Sequence, residues 1–589
     1  MRRLATIAAV FAIAAWGFQS IVRAGDTETS AASELPGWWS YQGHYGPAVQ
    51  GTLTLCRRDA VWLADIGGFE VEAATDGDAV RFSLPGGQGQ FRGRLRANRK
   101  AIDGFWIQPP GLTLSSAYAT PIVLRARSRG VWVGAVRPLL DRVTLFLNVR
   151  KARDGALTGF IRNPEFNFGL RRPFKLAVQG NDVSFVNAKR ENDILHGRFD
   201  PETGHLSMLF QGVGLFDFAR HDPDETPGAM PRGPASRPTA PRVPPQTGDG
   251  WTTASPAAVG IRVESLKQLT DHVREQVLEG VTAPYLHAIL VARHGKLVYE
   301  EYFHGFDREH PHDLRSAGKT LTSILLGIAM ERAGGFDVST PALALLPQYA
   351  DLKNADARKA AITVGQLLTM TSGLACDDND GDSPGNEDVM QSQREERDWY
   401  RYTLDLKLAR DPGGAQAVYC SAGVNLLGGI IAQRSGLELP EFFQRFLAGP
   451  MQIDDYHVNL MPNGAAYGAG GLYLRPRDAL KLGQLYLSQG RWKGRQLVSA
   501  SWVDASTKRR TQFDDAHGYG YGWHLHEMKS GGRTYREYAA EGNGGQFIIV
   551  VPDLDLAVAI AAGNYGDFQT WYGLQDLVPR YIIPAVHAP

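Results

Sequence analysis

The stretch "LRSAGKTLTSILLGIAMERAGG", Leu314 to Gly335, sets a serine three residues before a lysine, as Ser316-Ala317-Gly318-Lys319. Leu321, Ile324, Leu325 and Ile328 follow at helical spacing, and Gly334-Gly335 ends the run. A serine that opens such a helix holds its oxygen where backbone N–H groups are unpaired and the dipole is positive. Lys319 lies one turn on and shares the face of Ser316. Partial burial against an apolar helix lowers a lysine's pKa, which is what a general base needs. The chemistry this pattern could perform is nucleophilic serine catalysis without a histidine.

A lone Ser-x-x-Lys is weak, and the surrounding sequence decides its weight. Upstream, "HAILVARHGKLVYEEYFHG" leads into "HDLRSAGKT". Downstream come "ITVGQLLTMTSGLACDDNDGDSPGNED" and "YCSAGVNLLGGIIAQRSG", then "GAGGLYLRPRDALKLGQLYLSQGRWKGRQLVSASWV" and "YAAEGNGGQFIIVVP". This ordered set resembles the serine β-lactamase and penicillin-binding-protein superfamily. It is most similar to the class C-like esterase and amidase branch that includes the 6-aminohexanoate-dimer hydrolases. The resemblance spans about Trp251 to Pro589.

The resemblance implies that Ser316 is the acylated nucleophile and that Lys319 helps remove its proton. It implies that Tyr419, in "VYCSAG", is the tyrosine of the family's Tyr-x-Asn motif. Beside a lysine cation its phenolate is favoured, so it can pass a proton to the leaving group. The third motif position is Ser421 rather than asparagine, able to cap the following helix or to donate a weaker hydrogen bond to substrate. The family's Lys/His-Thr-Gly stretch is matched by Gly542-Asn543-Gly544-Gly545, whose glycines let a strand approach substrate. A backbone N–H there, from Asn543 or Gly545, is expected to complete an oxyanion hole with that of Ser316. Glu541 stands where a basic residue would hold a substrate carboxylate, which predicts weak β-lactam turnover and favours a neutral or amine-bearing ester or amide.

These residues need a scaffold. Residues 251–589 alternate helices and strands, with strands at both ends, as expected for one antiparallel sheet flanked by helices. "HAILVARHGKLVYEEYF" reads as two strands joined at His294-Gly295, and "RVESLKQLTDHVREQVLEG" as an amphipathic helix. Residues 35–220 alternate apolar and polar between Gly, Asn and Asp turns, as in "GTLTLCRR", "QFRGRLRA" and "VTLFLNVR". That pattern predicts an all-β antiparallel meander or closed barrel. Trp38, Trp39, Trp62, Trp106 and Trp132 fill its core or line a ligand cavity. Between the two regions, residues 221–250 are rich in proline and lack periodicity, a semi-rigid linker.

A chain of 589 residues is too long for one core, and 43% apolar residues suffice for several. Lys plus Arg and Asp plus Glu are both 62, so the balance points neither to nucleic acid nor to an anionic surface. Arg2 and Arg3, the apolar run Leu4 to Phe18 and Val22-Arg23-Ala24 read as a signal peptide (residues 1–24) cleaved near Ala24. The expected location is the periplasm or the outside of the cell, with no stable membrane insertion of the mature chain. Cys376 and Cys420 flank the active-site segments and are the pair to test for a disulfide in such a compartment. Three buried thiols, Cys56 included, stay an equal alternative.

Two other motifs compete. "GDSPG" fits Gly-x-Ser-x-Gly, but Pro384 follows Ser383 and has no N–H to offer an oxyanion. The acidic run Asp377 to Asp388 lacks EF-hand spacing and reads as a solvated loop rather than a calcium site. No Cys-x-x-Cys or His-Glu-x-x-His occurs, and no metal or cofactor is implied. The expectation is a two-domain exported serine hydrolase acting on a small ester, amide or peptide. The rivals are a catalytically weak peptidoglycan- or peptide-binding protein and a true β-lactamase or D,D-peptidase.

Overall fold

The computed structural model describes residues 31–586, except 60, 166–172, 188–189, 211–213, 224–227, 232–240 and 276–283. The expected signal peptide, part of the linker and the end of the first amphipathic helix lie outside the described residues. No helix among the described residues is long and apolar enough to cross a membrane.

The N-terminal β region contains two closed antiparallel barrels rather than one. The strands from Gly51–Arg58 to Val131–Val136 pair in succession, and the ring closes where Ala117–Ser128 meets Val131–Val136 and Gly51–Arg58 meets Val131–Val136. The second barrel takes its first strand, Gly37–Gly46, from before this ring and the other seven, Asp141–Lys151 to Gly214–Arg220, from after it. One barrel is thus inserted between two neighbouring strands of the other. Period-two patterning decides what points inward: in Val61–Ile66 every second residue is buried, starting with Trp62. Trp39 fills the second barrel, and Trp62, Trp106 and Trp132 fill the first, where Trp62 stacks on Trp132 with ring centroids 5.0 Å apart. Trp38 packs edge-on against Phe160. Trp39, Trp62, Trp106 and Trp132 are core, and Trp38 is half-buried at the barrel surface.

The C-terminal region is built on a nine-stranded sheet. Its central strands are Lys296–Tyr302, Leu286–Arg293, Leu556–Ala562, Gln546–Val551, Arg533–Gly542 and His524–Ser530, all antiparallel. The first hairpin turns at His294 and Gly295, both with positive φ (51° and 72°), the turn that matches strand twist. Strand residues alternate between two cores. Ala288, Leu290 and Ala292 join the larger core, whereas Ile289 and Val291 join the core under Val263–Arg274 and the C-terminal turns. This two-sided burial explains why these strands read as continuous apolar runs.

Within the larger core lie the helices Gly318–Ala333, Ser421–Ser435 and Pro476–Leu487. The first is buried on every side from Gly318 to Ala329, so its sequence has no polar solvent face. It is also pinned by hydroxyls: Thr320, Thr322 and Ser323 donate to the carbonyls of Gly522, Gly468 and Tyr521 at 2.5, 2.5 and 2.6 Å. Three tethers from one helical turn, reaching two separate segments, leave the nucleophile's helix little freedom to rotate.

The linker does not hold the two regions apart. Strand Ala117–Ser128 of the first barrel pairs with Tyr456–Leu460, so the barrel continues into a small sheet of the C-terminal region. Phe105, Ile107 and Ala119 of the barrel lie in the larger core, and Thr120 Oγ1 meets His457 Nδ1 at 2.7 Å. Described parts of the linker dock as well: Arg477 forms an ion pair with Asp249 at 2.8 Å and donates to the carbonyl of Pro245.

Candidate active site

Ser316 sits in a tight turn, Arg315–Ala317, that runs straight into the helix Gly318–Ala333. The residue before it, Arg315, has φ of 49°, a left-handed conformation that disfavours a side chain. Asp313 stabilises it twice, accepting the Arg315 N–H at 2.9 Å and pairing with the guanidinium at 2.9 Å. The turn therefore presents Ser316 at the first turn of a fixed helix, as the sequence predicts.

Lys319 Nζ lies 2.9 Å from Ser316 Oγ. The lysine is 2% exposed. Burial pushes its pKa below the usual lysine range, against the pull of the Glu387 and Asp378 carboxylates. Its ammonium faces the ring of Tyr419, with Nζ 5.0 Å from the centroid, and the Tyr419 hydroxyl is hydrogen-bonded to Ser316. Serine, lysine and tyrosine thus meet at one point. The expected phenolate is not supported, however: burial raises the Tyr419 pKa well above an ordinary phenol's, and Asp378, Glu387 and Glu541 add to the rise. The shift favours the phenol form of Tyr419 over the phenolate.

Ser421 is not a substrate contact. It is fully buried, and both its N–H and its Oγ–H donate to Asp378 Oδ2, at 2.8 and 2.6 Å. Asp378 also accepts the Glu387 N–H at 2.8 Å, and its own N–H donates to the Tyr419 carbonyl at 2.8 Å. Glu387 in turn accepts from the Tyr467 hydroxyl at 2.7 Å. The acidic run is therefore no loose loop. Cys376 and Cys420 form a disulfide, with Cα atoms 5.3 Å apart, that closes it against the Tyr419 segment, while Cys56 is free. Asn386 Nδ2 donates to the carbonyls of Asp377, Asp378 and Asp380. Ser383 Oγ accepts the Asp377 N–H at 3.0 Å inside this fold, with no strand leading to it.

Strand Arg533–Gly542 runs beside the Ser316 turn so closely that a Cβ on Gly542 would stand 2.1 Å from the Leu314 carbonyl oxygen. Asn543 and Gly545 part company beyond it. The Gly545 N–H donates back to the Gly542 carbonyl at 3.2 Å, and a Cβ there would meet Leu574 and Ala562 of the opposite core. The Gly545 N–H is thus already engaged within the hairpin. Asn543 spends its side-chain oxygen on the Gly566 N–H at 2.8 Å. Glu541 is ionised: burial would raise its pKa, but His524 and His526 outweigh burial and hold it at about 2. His526 Nε2 lies 2.7 Å from it and Gln575 donates at 3.0 Å. Sequence reasoning missed Asp378, Glu387 and these histidines as partners of the site, since the acidic run and the histidine strand lie far from Ser316 in the chain.

A family model described as Beta-lactamase matches residues 269–570, more than half of the chain. The 6-aminohexanoate-dimer hydrolase of Paenarthrobacter ureafaciens is 24% identical over 337 residues, covering 55% of this chain and 83% of that protein. Among solved structures, EstCE1, a hydrolase with promiscuous acyltransferase activity, aligns at a TM-score of 0.44 with 15% identity, over 55% of this chain and 98% of that one. The simvastatin synthase LovD of Aspergillus terreus aligns at 0.43 with 18% identity, over 54% and 97%. With the family match falling on the sheet, the helices and the Ser316–Lys319–Tyr419 cluster just described, this chain belongs to the beta-lactamase family.

Proposed function

We propose that the protein is an exported serine hydrolase that cleaves an ester or amide through an acyl-enzyme on Ser316. The observation that carries this reading is the 2.9 Å contact between Lys319 Nζ and Ser316 Oγ in a buried site beside Tyr419. With the amine neutral, Lys319 accepts the Ser316 proton as Oγ attacks the carbonyl carbon. The oxyanion is met by the Ser316 N–H at the start of the helix and by the strand end at Asn543. Tyr419, a phenol, donates its proton to the departing alkoxide or amine and recovers one from the ammonium of Lys319. Water then attacks the acyl carbon by the reverse relay and releases the acid. Export is supported by the leader-like residues Arg2 to Ala24 and by the Cys376–Cys420 disulfide, which persists in oxidising compartments.

The substrate class follows from charge. No lysine or arginine stands at the end of strand Arg533–Gly542 to clamp a carboxylate. Glu541 repels one less than its charge alone suggests, because His526 is paired with it; burial lowers the His526 pKa, but the Glu541 hydrogen bond and charge raise it more. Asp378 and Glu387 add acidic groups near Lys319. A neutral or amine-bearing ester or linear amide therefore suits the site better than a penicillin. The relative from Paenarthrobacter ureafaciens is named for such an amide.

A second reading, a lactamase-like domain that binds without turnover, draws on Ser421 standing in place of asparagine and on the altered glycine stretch. Purified mature protein and Ser316→Ala should be compared on p-nitrophenyl acetate and butyrate, nitrocefin, a D-Ala-D-Ala peptide and a linear aminohexanoate dimer. Turnover lost in the variant, with fluorophosphonate labelling on Ser316, is expected. Full activity in the variant refutes the nucleophile, whereas ligand binding without labelling favours the binding protein. Efficient nitrocefin hydrolysis overturns the substrate class.

A further inference from the structure

His517, His524, His526 and Glu541 bring four donor atoms within 4.8 Å of one another, the one such group among the described residues. His524 and His526 are two apart on one strand and so face the same way. His524 pairs across the ladder with Ala539, and Glu541 lies two residues further along that neighbouring strand, on the same face. His517 closes the group from the turn at Asp514, whose carboxylate accepts the His517 N–H at 2.9 Å. The frame is backbone-paired sheet, and only side chains need adjust.

From this geometry we infer a divalent metal site with His517 Nε2, His524 Nδ1, His526 Nε2 and a Glu541 carboxylate oxygen as ligands, suited to zinc or another borderline-soft transition ion. Three imidazoles and one carboxylate are the donor set such ions take, and one that calcium and magnesium do not. His517 Nε2 and His524 Nδ1 are 2.7 Å apart, as are His526 Nε2 and Glu541 Oε1, and His524 Nδ1 stands 3.8 Å from Glu541 Oε2. Tetrahedral bonds of about 2.05 Å set donor atoms about 3.3 Å apart. The two short contacts open by about 0.6 Å and the longest separations close by about 1.5 Å, movements within the reach of side-chain torsions. An ion would take the place of the protons that now bridge these pairs.

Two further observations point the same way. Glu541 Oε2 is buried without a hydrogen-bond partner, a lone pair directed into the group. Glu537, cross-strand partner of His526, is a second buried carboxylate with an unpartnered oxygen, available to balance a dication. Four protein ligands leave no open position, so the ion is structural. It would tie the turn before Gly518 to the strand that abuts the Ser316 turn, and the His524 ring faces Tyr419 with centroids 6.4 Å apart. The ligand spacing, 517, 524, 526 and 541, matches no short metal motif, which is why the sequence alone does not display it.

The test uses the full mature chain carrying Ser316→Ala, so that no turnover enters the readout. After chelation and dialysis, Co(II) is titrated and the visible d–d absorption followed, then Zn(II) is added in competition. One equivalent with a four-coordinate spectrum, displaced by zinc, is expected, with affinity at least tenfold weaker in His526→Gln and in His517→Ala. His517 is in a turn and half-buried, so that variant keeps the test open if His526→Gln fails to fold. Less than half an equivalent bound at micromolar protein, a six-coordinate spectrum, or unchanged affinity in both folded variants would overturn the site and leave a hydrogen-bonded histidine network.

Discussion

Gly542→Ala isolates the role of one backbone approach. A new Cβ would stand 2.1 Å from the Leu314 carbonyl oxygen, where contacts under 3.0 Å essentially do not occur, so strand and turn must separate by at least 0.9 Å. Gly542 does not have positive φ, and the effect of alanine is therefore this collision rather than backbone strain. The neighbouring Gln546 Cβ, at 3.1 Å, blocks escape along the hairpin. Leu314 precedes the Ser316 turn by one residue, and Asn543 follows Gly542. The displacement thus falls between the two N–H donors assigned to the oxyanion. A misplacement of about 1 Å, or the loss of one oxyanion donor, costs about 10²-fold in kcat. Steady-state hydrolysis of the best panel ester should show that loss mainly in kcat, with near-ultraviolet circular dichroism retained. Gly381→Ala, where a Cβ meets nothing within 4 Å, is the control and should match wild type. A Gly542→Ala enzyme within threefold of wild type, folded and labelled on Ser316 at the normal rate, would refute the placement of the oxyanion hole at this strand end.

Lys319→Met should lower kcat by about 10²–10⁴-fold, the range for a general base, with the fold retained by near-ultraviolet circular dichroism. Equal activity in the variant would assign the base elsewhere. Asp378 makes stability depend on pH: burial, and then the Glu387 charge, raise its pKa from 3.8 to about 6. A raised carboxyl contributes fully below its unfolded pKa, and that contribution is lost as pH climbs through about 6. The loss is worth up to ~3 kcal/mol. Asp378→Asn lacks this slope, so urea unfolding should find the variant relatively weakest near pH 4, and parallel curves from pH 4 to 7 would contradict it. Cys376 and Cys420 are 44 residues apart, a loop whose closure is worth about 4 kcal/mol. Cys376→Ser with Cys420→Ser should lower the unfolding midpoint accordingly and loosen Asp378 before the distant barrels, as hydrogen exchange on residues 376–388 would detect.

What the sequence discloses depends on range. The Ser316–Lys319 pair lies within one helical turn, and the helix pattern that fixes it runs through the adjacent sixteen residues Gly318–Ala333. The His294-Gly295 hairpin and the two terminal strands are equally local. The twin barrels are less so. Strand patterning over residues 35–220 identifies barrel-forming segments, but pairing of Gly37–Gly46 with Asp141–Lys151 jumps an entire eight-stranded ring. Nothing in a strand's own alternation specifies a partner a hundred residues on. The linker misleads for a related reason. Its composition describes residues 221–250, whereas the sheet pairing that joins the regions is made by Ala117–Ser128 on Tyr456–Leu460.

Ser421 shows how a departure from a family motif is resolved by residues outside it. Serine is shorter than the family motif's asparagine, and without the acidic run the site would hold a buried hydroxyl with no partner and a lysine with no anion to offset its burial. The acidic run supplies both. Asp378 accepts the Ser421 N–H and Oγ–H and draws the Lys319 pKa upward against burial. Holding a carboxylate there is costly, as its own raised pKa records, and three features enforce it: the disulfide at Cys376 and Cys420, the bond from Asp378 N–H to the Tyr419 carbonyl, and the Asn386 amide on three loop carbonyls. Each joins the loop to the segment carrying Tyr419 or to itself, and none touches Ser316. The acidic loop is therefore part of the base's environment. Restoring asparagine at 421 alone would crowd Asp378 out of position, so Ser421→Asn should impair turnover and Asp378→Ser should not rescue it unless Lys319 still finds Glu387 as its anion.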